Sequence, residues 1–375
     1  MEIVMKIFIV YPGGDALGGG GVERRFSRLI QHFQSVKPEL EIYFLVTRPF
    51  KEWILNNFPF LDPKRIIAPS IERNRFHYCI WSMKMVLMHR PEIVHFLTAQ
   101  LRVLPIVIFS KLCASKVITC VIDSRHASPL TKIWQIPYYA WIEWAFSDKL
   151  DLLYPSFLET IWGKFFEKKV IIAPCSFTDY KSFCFNSSSD SKKPHILFCG
   201  RLIEEKNPML FLKAISKLKF VLIDKCWQVI IVGGGPLKKE IDIFIRANHL
   251  DNIVTLMITN NTPPLFKEAS IFVSLQKTEN YPSQALLEAM GAKCCIIATD
   301  VGNTKLLIDN KTGMLLNDGN IDLLKDHLEF CIKNPETRER KGENAYVRAI
   351  KEHTIEKYAE HTYKLWINLK KKNMN

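Results

Sequence analysis

"KIFIVYPGGDALGGGGVERRFSRLIQHF" (residues 6–33) passes from an apolar run, through six glycines between 13 and 21, into a helical pattern with Val22, Phe26, Leu29, Ile30 and Phe33 on one face. A strand, a glycine turn and an amphipathic helix in that order make the first half of a βαβ unit, and such units build parallel sheets. The strand signal returns at 41–46, 92–97, 115–123, 151–155 and 169–174, with helical patterns between most of these runs. This alternation predicts an α/β chain that opens with a doubly wound, Rossmann-like domain.

The composition then shifts. "SFCFNSSSDSKKP" (182–194) is polar and Ser-rich, which reads as a linker. Beyond it the alternation restarts at "HILFCG" (195–200) and continues through "QVIIVGGG" (228–235), "NIVTLMI" (252–258), "SIFVSL" (270–275), "KCCIIAT" (293–299) and "GMLL" (313–316). From about 320 the pattern is helical to the end. Two α/β domains result, consistent with 375 residues at 48% hydrophobic content, more than one ordinary core accommodates.

Ten cysteines show no C-x-x-C pair, which points to reduced thiols in the cytoplasm rather than a zinc or redox site. The N-terminal apolar run is too short for a signal peptide, and no stretch reaches the ~20 apolar residues of a spanning helix. A cytoplasmic protein is expected, soluble or peripheral on the inner face of the membrane. The net charge of +13 is spread evenly, with 22 Lys and Arg against 16 Asp and Glu in residues 1–180 and 29 against 22 in 181–375. No basic stripe asks for nucleic acid; nucleotide, phosphate or anionic lipid remain as partners.

Ligands of open α/β sheets bind beyond the carboxyl ends of the strands, so motifs there carry most weight. The glycine loop at 13–21 lets backbone approach a phosphate in front of a helix start, although its spacing is neither G-x-G-x-x-G nor a P-loop. "FCGRLIEEKNP" (198–208) places Arg201 and Lys206 at a strand mouth, where two cations suit a diphosphate. "ENYPSQALLEAMG" (279–291) brings Ser283 and Gln284 to a helix start and sets Glu288 in an otherwise apolar run, with Glu279 in the loop before it. A carboxylate accepts two hydroxyl protons, which suits a ribose or sugar.

Taken in order, the glycine loop, "GRLIEEKN" (200–207), "VGGGP" (232–236), "ENYPSQALLEAM" (279–290) and "ATDVGNT" (298–304) resemble the retaining family 4 glycosyltransferases, the group 1 enzymes with the GT-B fold. The resemblance covers nearly the whole chain. It implies two Rossmann-like domains facing across a cleft, with C-terminal helices. The expected division is an acceptor-side domain at 1–180, a linker at 181–194, a nucleotide-sugar domain at 195–350, and a helix at 351–375 packing back on the first domain. It also implies sugar transfer from a UDP- or GDP-linked donor to a saccharide or lipid-linked saccharide in surface polysaccharide or glycoconjugate synthesis, with no cofactor or metal.

Carried over by position, Arg201 and Lys206 contact the donor diphosphate, Gly20 and Gly21 line it, Glu288 binds ribose, and Met257, Ile258 and Thr259 meet the base. The family pattern separates its two carboxylates by seven residues; here eight lie between Glu279 and Glu288, so Glu279 or Asn280 takes the sugar contact. His126, in "VIDSRHASP" (121–129), matches the family's first-domain histidine, with His95 as the competitor inside a strand; Asp123 and Arg125 flank the acceptor side. A silent sugar-nucleotide-binding subunit and a sugar-nucleotide epimerase are the alternatives. Aromatic and basic stretches at 73–90 and 131–146 read as core helices or as a surface for anionic lipid.

Overall fold

The computed structural model describes residues 5–13, 21–70, 75–121, 136–184, 191–278, 281, 283–317 and 319–371. Gly20, Asp123, Arg125, His126, Glu279 and Asn280 lie outside these. The chain forms two compact units, 1–176 with 355–375, and 177–354.

The first unit alternates β1 (Met5–Tyr11), α1 (Gly21–Val36), β2 (Leu40–Val46), α2 (Arg48–Asn57), β3 (Ile66–Ile67), α3 (Arg75–His89), β4 (Ile93–Phe96), α4 (Leu104–Leu112), β5 (Lys116–Val121), α5 (Tyr138–Phe146), β6 (Lys149–Leu152), α6 (Ile161–Phe165) and β7 (Val170–Ile172). Its sheet has the order β3-β2-β1-β4-β5-β6-β7, and every pairing is parallel. The strands grow outward from β1 in one direction, then restart on its other side with β4. The β1/β4 gap is therefore the topological switch point of this sheet. Phe8, Val10, Phe96 and Val117 pack against Tyr78 and Val86 of α3 and Ile106 and Val107 of α4.

The second unit holds α7 (Tyr180–Phe183), β8 (Lys193–Cys199), α8 (Pro208–Asp224), β9 (Gln228–Val232), α9 (Lys238–Ala247), β10 (Val254–Met257), α10 (Pro263–Glu268), β11 (Ala269–Ser274), α11 (Gln284–Gly291), β12 (Cys295–Thr299), β13 (Gly313–Leu316), α12 (Ile321–Lys333) and α13 (Pro335–Glu352). Its parallel sheet runs β10-β9-β8-β11-β12-β13, with the switch point between β8 and β11. Ile196 and Phe198 face α8, where Phe198 stacks on Phe211 at 5.5 Å, and Leu197 and Phe272 face Leu286, Leu287 and Met290 of α11. Both faces of the sheet are thus covered, as parallel sheets require.

The boundary falls earlier than the Ser-rich stretch suggests. Phe183 is buried in the second core, and the Lys192 ammonium donates to the carbonyls of Phe266 (3.2 Å) and Ala269 (2.5 Å). The described parts of 181–194 therefore belong to the second unit, and their partners lie far away in sequence.

The last helix, α14 (Ile355–Lys371), belongs to the first unit and packs on α1. Trp366 meets Phe33 at 5.0 Å, and the Lys37 ammonium lies 4.3 Å over the Tyr363 ring. The Trp366 indole N–H donates to Nδ1 of fully buried His95 at 3.4 Å. Because indole only donates, Nδ1 is the acceptor and the neutral ring carries its proton on Nε2. That nitrogen sits 3.2 Å from Cys120 Sγ and 3.7 Å from Asp151 Oδ2, and His361 Nε2 is 3.5 Å from Asp151 Oδ1. Burial, opposed by Asp151, pushes His95 down to about 4 and keeps it neutral. His95 is thus a core residue.

The two aromatic stretches divide between core and surface. Tyr78 and Trp144 are buried, whereas Phe76, Ile80, Leu87 and Met88 on α3 and Tyr138 on α5 are exposed. No described helix is long and apolar enough to cross a membrane.

Candidate functional site

At the end of β8 the chain enters Gly200 and Arg201 and is stitched to the loop after β9. Leu202 N–H donates to the Gly234 carbonyl (2.9 Å), and Leu237 N–H donates back to Leu202 (3.1 Å). Gly233 makes this possible: at φ +149°, a Cβ there would lie 1.9 Å from the Gly200 carbonyl oxygen. The "VGGGP" stretch therefore holds the strand mouth that presents Arg201.

A single 3-10 turn, Glu204–Lys206, follows and ends at Asn207 in the left-handed region (φ 53°, ψ 46°), after which Pro208 starts α8. Asn tolerates that conformation and Pro suits the first helical position. The turn carries Lys206 across the switch point, where its ammonium donates to Gln276 Oε1 at 2.9 Å. Gln276 lies just beyond β11. The same crossing is tied by Lys277 N–H to the Glu205 carbonyl (2.9 Å) and by the Lys277–Glu204 ion pair (2.9 Å).

Lys206 is half-buried beside exposed Arg201. Burial first, then the Arg201 charge, lowers its pKa to about 8, with Glu205 opposing. Neither cation makes an ion pair with a carboxylate among the described residues; the partner of Lys206 is a neutral amide. Two like charges held together at a strand end, against the cost of their repulsion, make a site for an anion.

The remaining described candidates of the second unit share this sheet edge. Met257 ends β10 and its carbonyl accepts Gly233 N–H at 3.0 Å; Ile258, next to it, is exposed, and Thr259 Oγ1 accepts Asn261 N–H at 3.0 Å. Ser283 is the buried N-cap of α11 in extended conformation, with no capping bond from its side chain. Gln284 donates to the Phe177 carbonyl (3.1 Å), and Glu288 is 4% exposed one turn further on. Gly21 opens α1 in the first unit and is exposed.

Two groups escaped the sequence reading. Gln276 was signalled only as a polar residue ending an apolar strand. The other surrounds the β1/β4 switch point. There Arg102 donates through Nη2 to the Gly13 carbonyl (2.5 Å) and through Nε to Gln100 Oε1 (2.7 Å), Gln100 N–H donates to Glu143 Oε1 (3.2 Å), and the Tyr11 hydroxyl donates to Glu23 (2.7 Å). Each sheet therefore has a cation bonded across its own switch point.

Residues 180–348 match the family model described as Glycosyl transferases group 1. A Campylobacter jejuni protein, GalNAc-alpha-(1->4)-GalNAc-alpha-(1->3)-diNAcBac-PP-undecaprenol alpha-1,4-N-acetyl-D-galactosaminyltransferase, is 28% identical over 237 residues, 61% of this chain and 63% of that one. D-inositol 3-phosphate glycosyltransferase of an Arthrobacter species is 31% identical over 163 residues, 42% and 38% of the two chains. The chain thus spans less than two thirds of the length of these relatives. In structure, HepE from Anabaena, solved with UDP and glucose, superposes with a TM-score of 0.79 over 96% of this chain and 99% of its own, at 14% identity. A Rickettsia africae glycosyltransferase gives 0.74 over 97% and 98%, at 16% identity. The likeness to the group 1 glycosyltransferases thus lies in residues 180–348, and the chain as a whole has the GT-B fold.

Proposed function

We propose that this protein is a retaining glycosyltransferase that moves a sugar from a UDP- or GDP-linked donor to a hydroxyl of a saccharide or lipid-linked saccharide. The observation that carries the reading is the Arg201–Lys206 pair, two cations at the mouth of β8 whose charges oppose each other and neither of which is ion-paired to a carboxylate among the described residues. In the reaction the bond between the anomeric carbon and the diphosphate oxygen breaks, its electron pair passing to the diphosphate. The acceptor oxygen bonds to the same face of the sugar and its proton passes to the departing phosphate. Arg201 and Lys206 stabilise the charge on the leaving group, where fixed cations act most strongly. Glu288 accepts the ribose hydroxyls, Ser283 and Gln284 bring the start of α11 toward the donor, and the backbone at Met257 and Ile258 meets the base. Gly20 and Gly21 line the diphosphate, Glu279 or Asn280 and His126 hold the sugar, and Asp123 and Arg125 touch the acceptor. The names of the relatives support a saccharide or polyprenyl-linked acceptor, and the bound UDP and glucose of HepE support the donor class.

Incubation with UDP- and GDP-sugars and a short saccharide or polyprenyl-diphosphate saccharide is expected to give a product with the donor's anomeric configuration, read by NMR. Nucleotide binding by thermal shift without sugar transfer would assign a silent binding subunit instead. Because two protein cations supply the charge at the leaving group, turnover is expected to persist in excess EDTA. Loss of turnover that a divalent ion restores would show that the cation pair is insufficient.

The reading extends to peripheral contact between the first unit and anionic membrane. Phe76, Ile80, Leu87 and Met88 on α3 are exposed around Lys84, and Ile161 and Phe165 on α6 are exposed beside Lys164 and Lys168. Trp141 stacks on Trp162 at 5.8 Å and carries the aromatic surface from α5 to α6. Aromatic groups with interspersed lysines suit the headgroup region of an anionic bilayer. Co-sedimentation is expected with vesicles containing anionic lipid at low salt and to fall at high salt, with little pelleting on neutral vesicles. Equal pelleting on both kinds of vesicle would remove the electrostatic part.

A further inference from the structure

Glu143 lies in the apolar helix α5, "YYAWIEWAF" (138–146), and is fully buried. One carboxyl oxygen accepts the Gln100 N–H at 3.2 Å; the other, Oε2, finds no hydrogen-bond partner among the described residues. A lone carboxyl so placed costs stability, and a chain retains such a cost where the group does something. From Glu143 a connected path runs outward: Gln100 N–H to Glu143, Arg102 Nε to Gln100 Oε1, and Arg102 Nη2 to the Gly13 carbonyl. Gly13 (φ +86°) is where β1 hands over to the glycine loop. The path bridges the β1/β4 gap, which Leu97 N–H also closes by donating to the Val10 carbonyl at 3.1 Å.

We propose that Glu143 is a positioning residue which, by accepting the Gln100 N–H, fixes the Gln100–Arg102 turn and through it Gly13 at the entry to the glycine loop. This rests on the reading that the loop meets the donor diphosphate. The end of α5 is tied to β5: the Ser147 hydroxyl donates to the Glu143 main-chain carbonyl (2.8 Å) and lies 2.7 Å from the Thr119 hydroxyl. Burial, opposed by the Gln100 N–H, pushes the carboxyl up to about 9, so it is neutral at pH 7. Among the described residues, the charged groups of the surrounding elements have other partners, and Lys169 donates to the Ala145 and Ser147 carbonyls at the end of α5. Lys111 of α4 holds Asp148 (2.8 Å), Glu23 of α1 takes the Tyr11 hydroxyl, and Arg102 is bonded to Gln100 and Gly13. Deprotonation would leave a buried charge at the root of the path.

Two variants and two readouts test this in the full chain. Glu143→Ala removes the acceptor for Gln100 and is expected to raise the donor KM tenfold or more, with kcat within about threefold of wild type. Amide exchange of the 11–21 peptide should accelerate. Glu143→Gln keeps the shape and an acceptor oxygen, so at pH 7 both readouts should stay close to wild type. At pH 9.5, where both proteins lose the Lys206 charge, its donor KM should rise less than that of the wild type. Should Glu143→Ala fail to fold, Arg102→Ala supplies the same break farther along and should also accelerate exchange at 11–21. Unchanged exchange in Arg102→Ala and Glu143→Ala would overturn the proposal, as would a Glu143→Gln enzyme with kcat down a hundredfold and KM unchanged, which would place the group in the chemistry. Exchange does not depend on turnover, so a protein without transferase activity would refute the donor reading while leaving this path to be judged on its own.

Discussion

Lys206→Met is expected to lose about two orders of magnitude or more in turnover at saturating donor, and to be more stable than the wild type at pH 7. The loss follows from removing one preorganised charge at a leaving group. The gain follows from the depressed pKa. A lysine whose pKa is lower in the folded state destabilises that state while it is charged, below about pH 8, and the cost fades as pH rises from about 8 toward its ordinary 10.5. A shift of that size corresponds to at most about 3 kcal/mol. Partial exposure and the lost Gln276 hydrogen bond reduce the net gain to about 1–2 kcal/mol. Urea unfolding at pH 7 and pH 10 should show the gain at the first and little at the second. Wild-type turnover, where it depends on the Lys206 charge, should decline as pH climbs through about 8. A Lys206→Met enzyme with normal turnover would remove this residue from the leaving group.

Gly233→Ala is expected to be the most damaging small substitution in the second unit. The new methyl would meet the Gly200 carbonyl oxygen at 1.9 Å, a backbone atom that cannot swing aside, in a conformation L residues rarely adopt. Strain and clash together place the loss near the exceptional end for single changes, about 4 kcal/mol. Any relief must separate the loops after β8 and β9, which moves Arg201 as well. Thermal unfolding should show a lower midpoint, and nucleotide should restore less of it than in the wild type. Gly234→Ala is the control: its added Cβ would sit 3.7 Å from Ile258 Cδ1, an ordinary contact. Equal behaviour of the two variants would show that the Gly233–Gly200 approach does not hold the site.

What could be read in advance, and what could not, divides by the range of the interaction. The strands of the second unit are continuous apolar runs buried on both faces, so "SIFVSL" and "GMLL" announced β11 and β13 to within a residue. Arg201 and Lys206 were visible because they follow a strand within a few residues of a Pro helix start. Gln276 was not, since its meeting with Lys206 depends on β8 pairing with β11 across about seventy residues of chain. Lys192 misled for the same reason: a polar local composition hid a side chain whose carbonyl partners come from α10 and β11. Glu143 is the instructive omission. A lone carboxylate in an apolar helix was read as a signal at Glu288, and the same reasoning applies to "YYAWIEWAF".

The first unit is completed by a helix that comes after the entire second unit in sequence. During synthesis, at about 5–20 residues per second, the ribosome therefore spends roughly ten to thirty-five seconds making 177–354 before α14 exists. Throughout that interval the sheet face around His95, Cys120 and Asp151 and the flank of α1 around Phe33 await their cover. A purely apolar face would invite association with other nascent chains. The imidazole, thiol and carboxylate there can be hydrated while they wait, which gives this buried polar trio a use before the chain is finished.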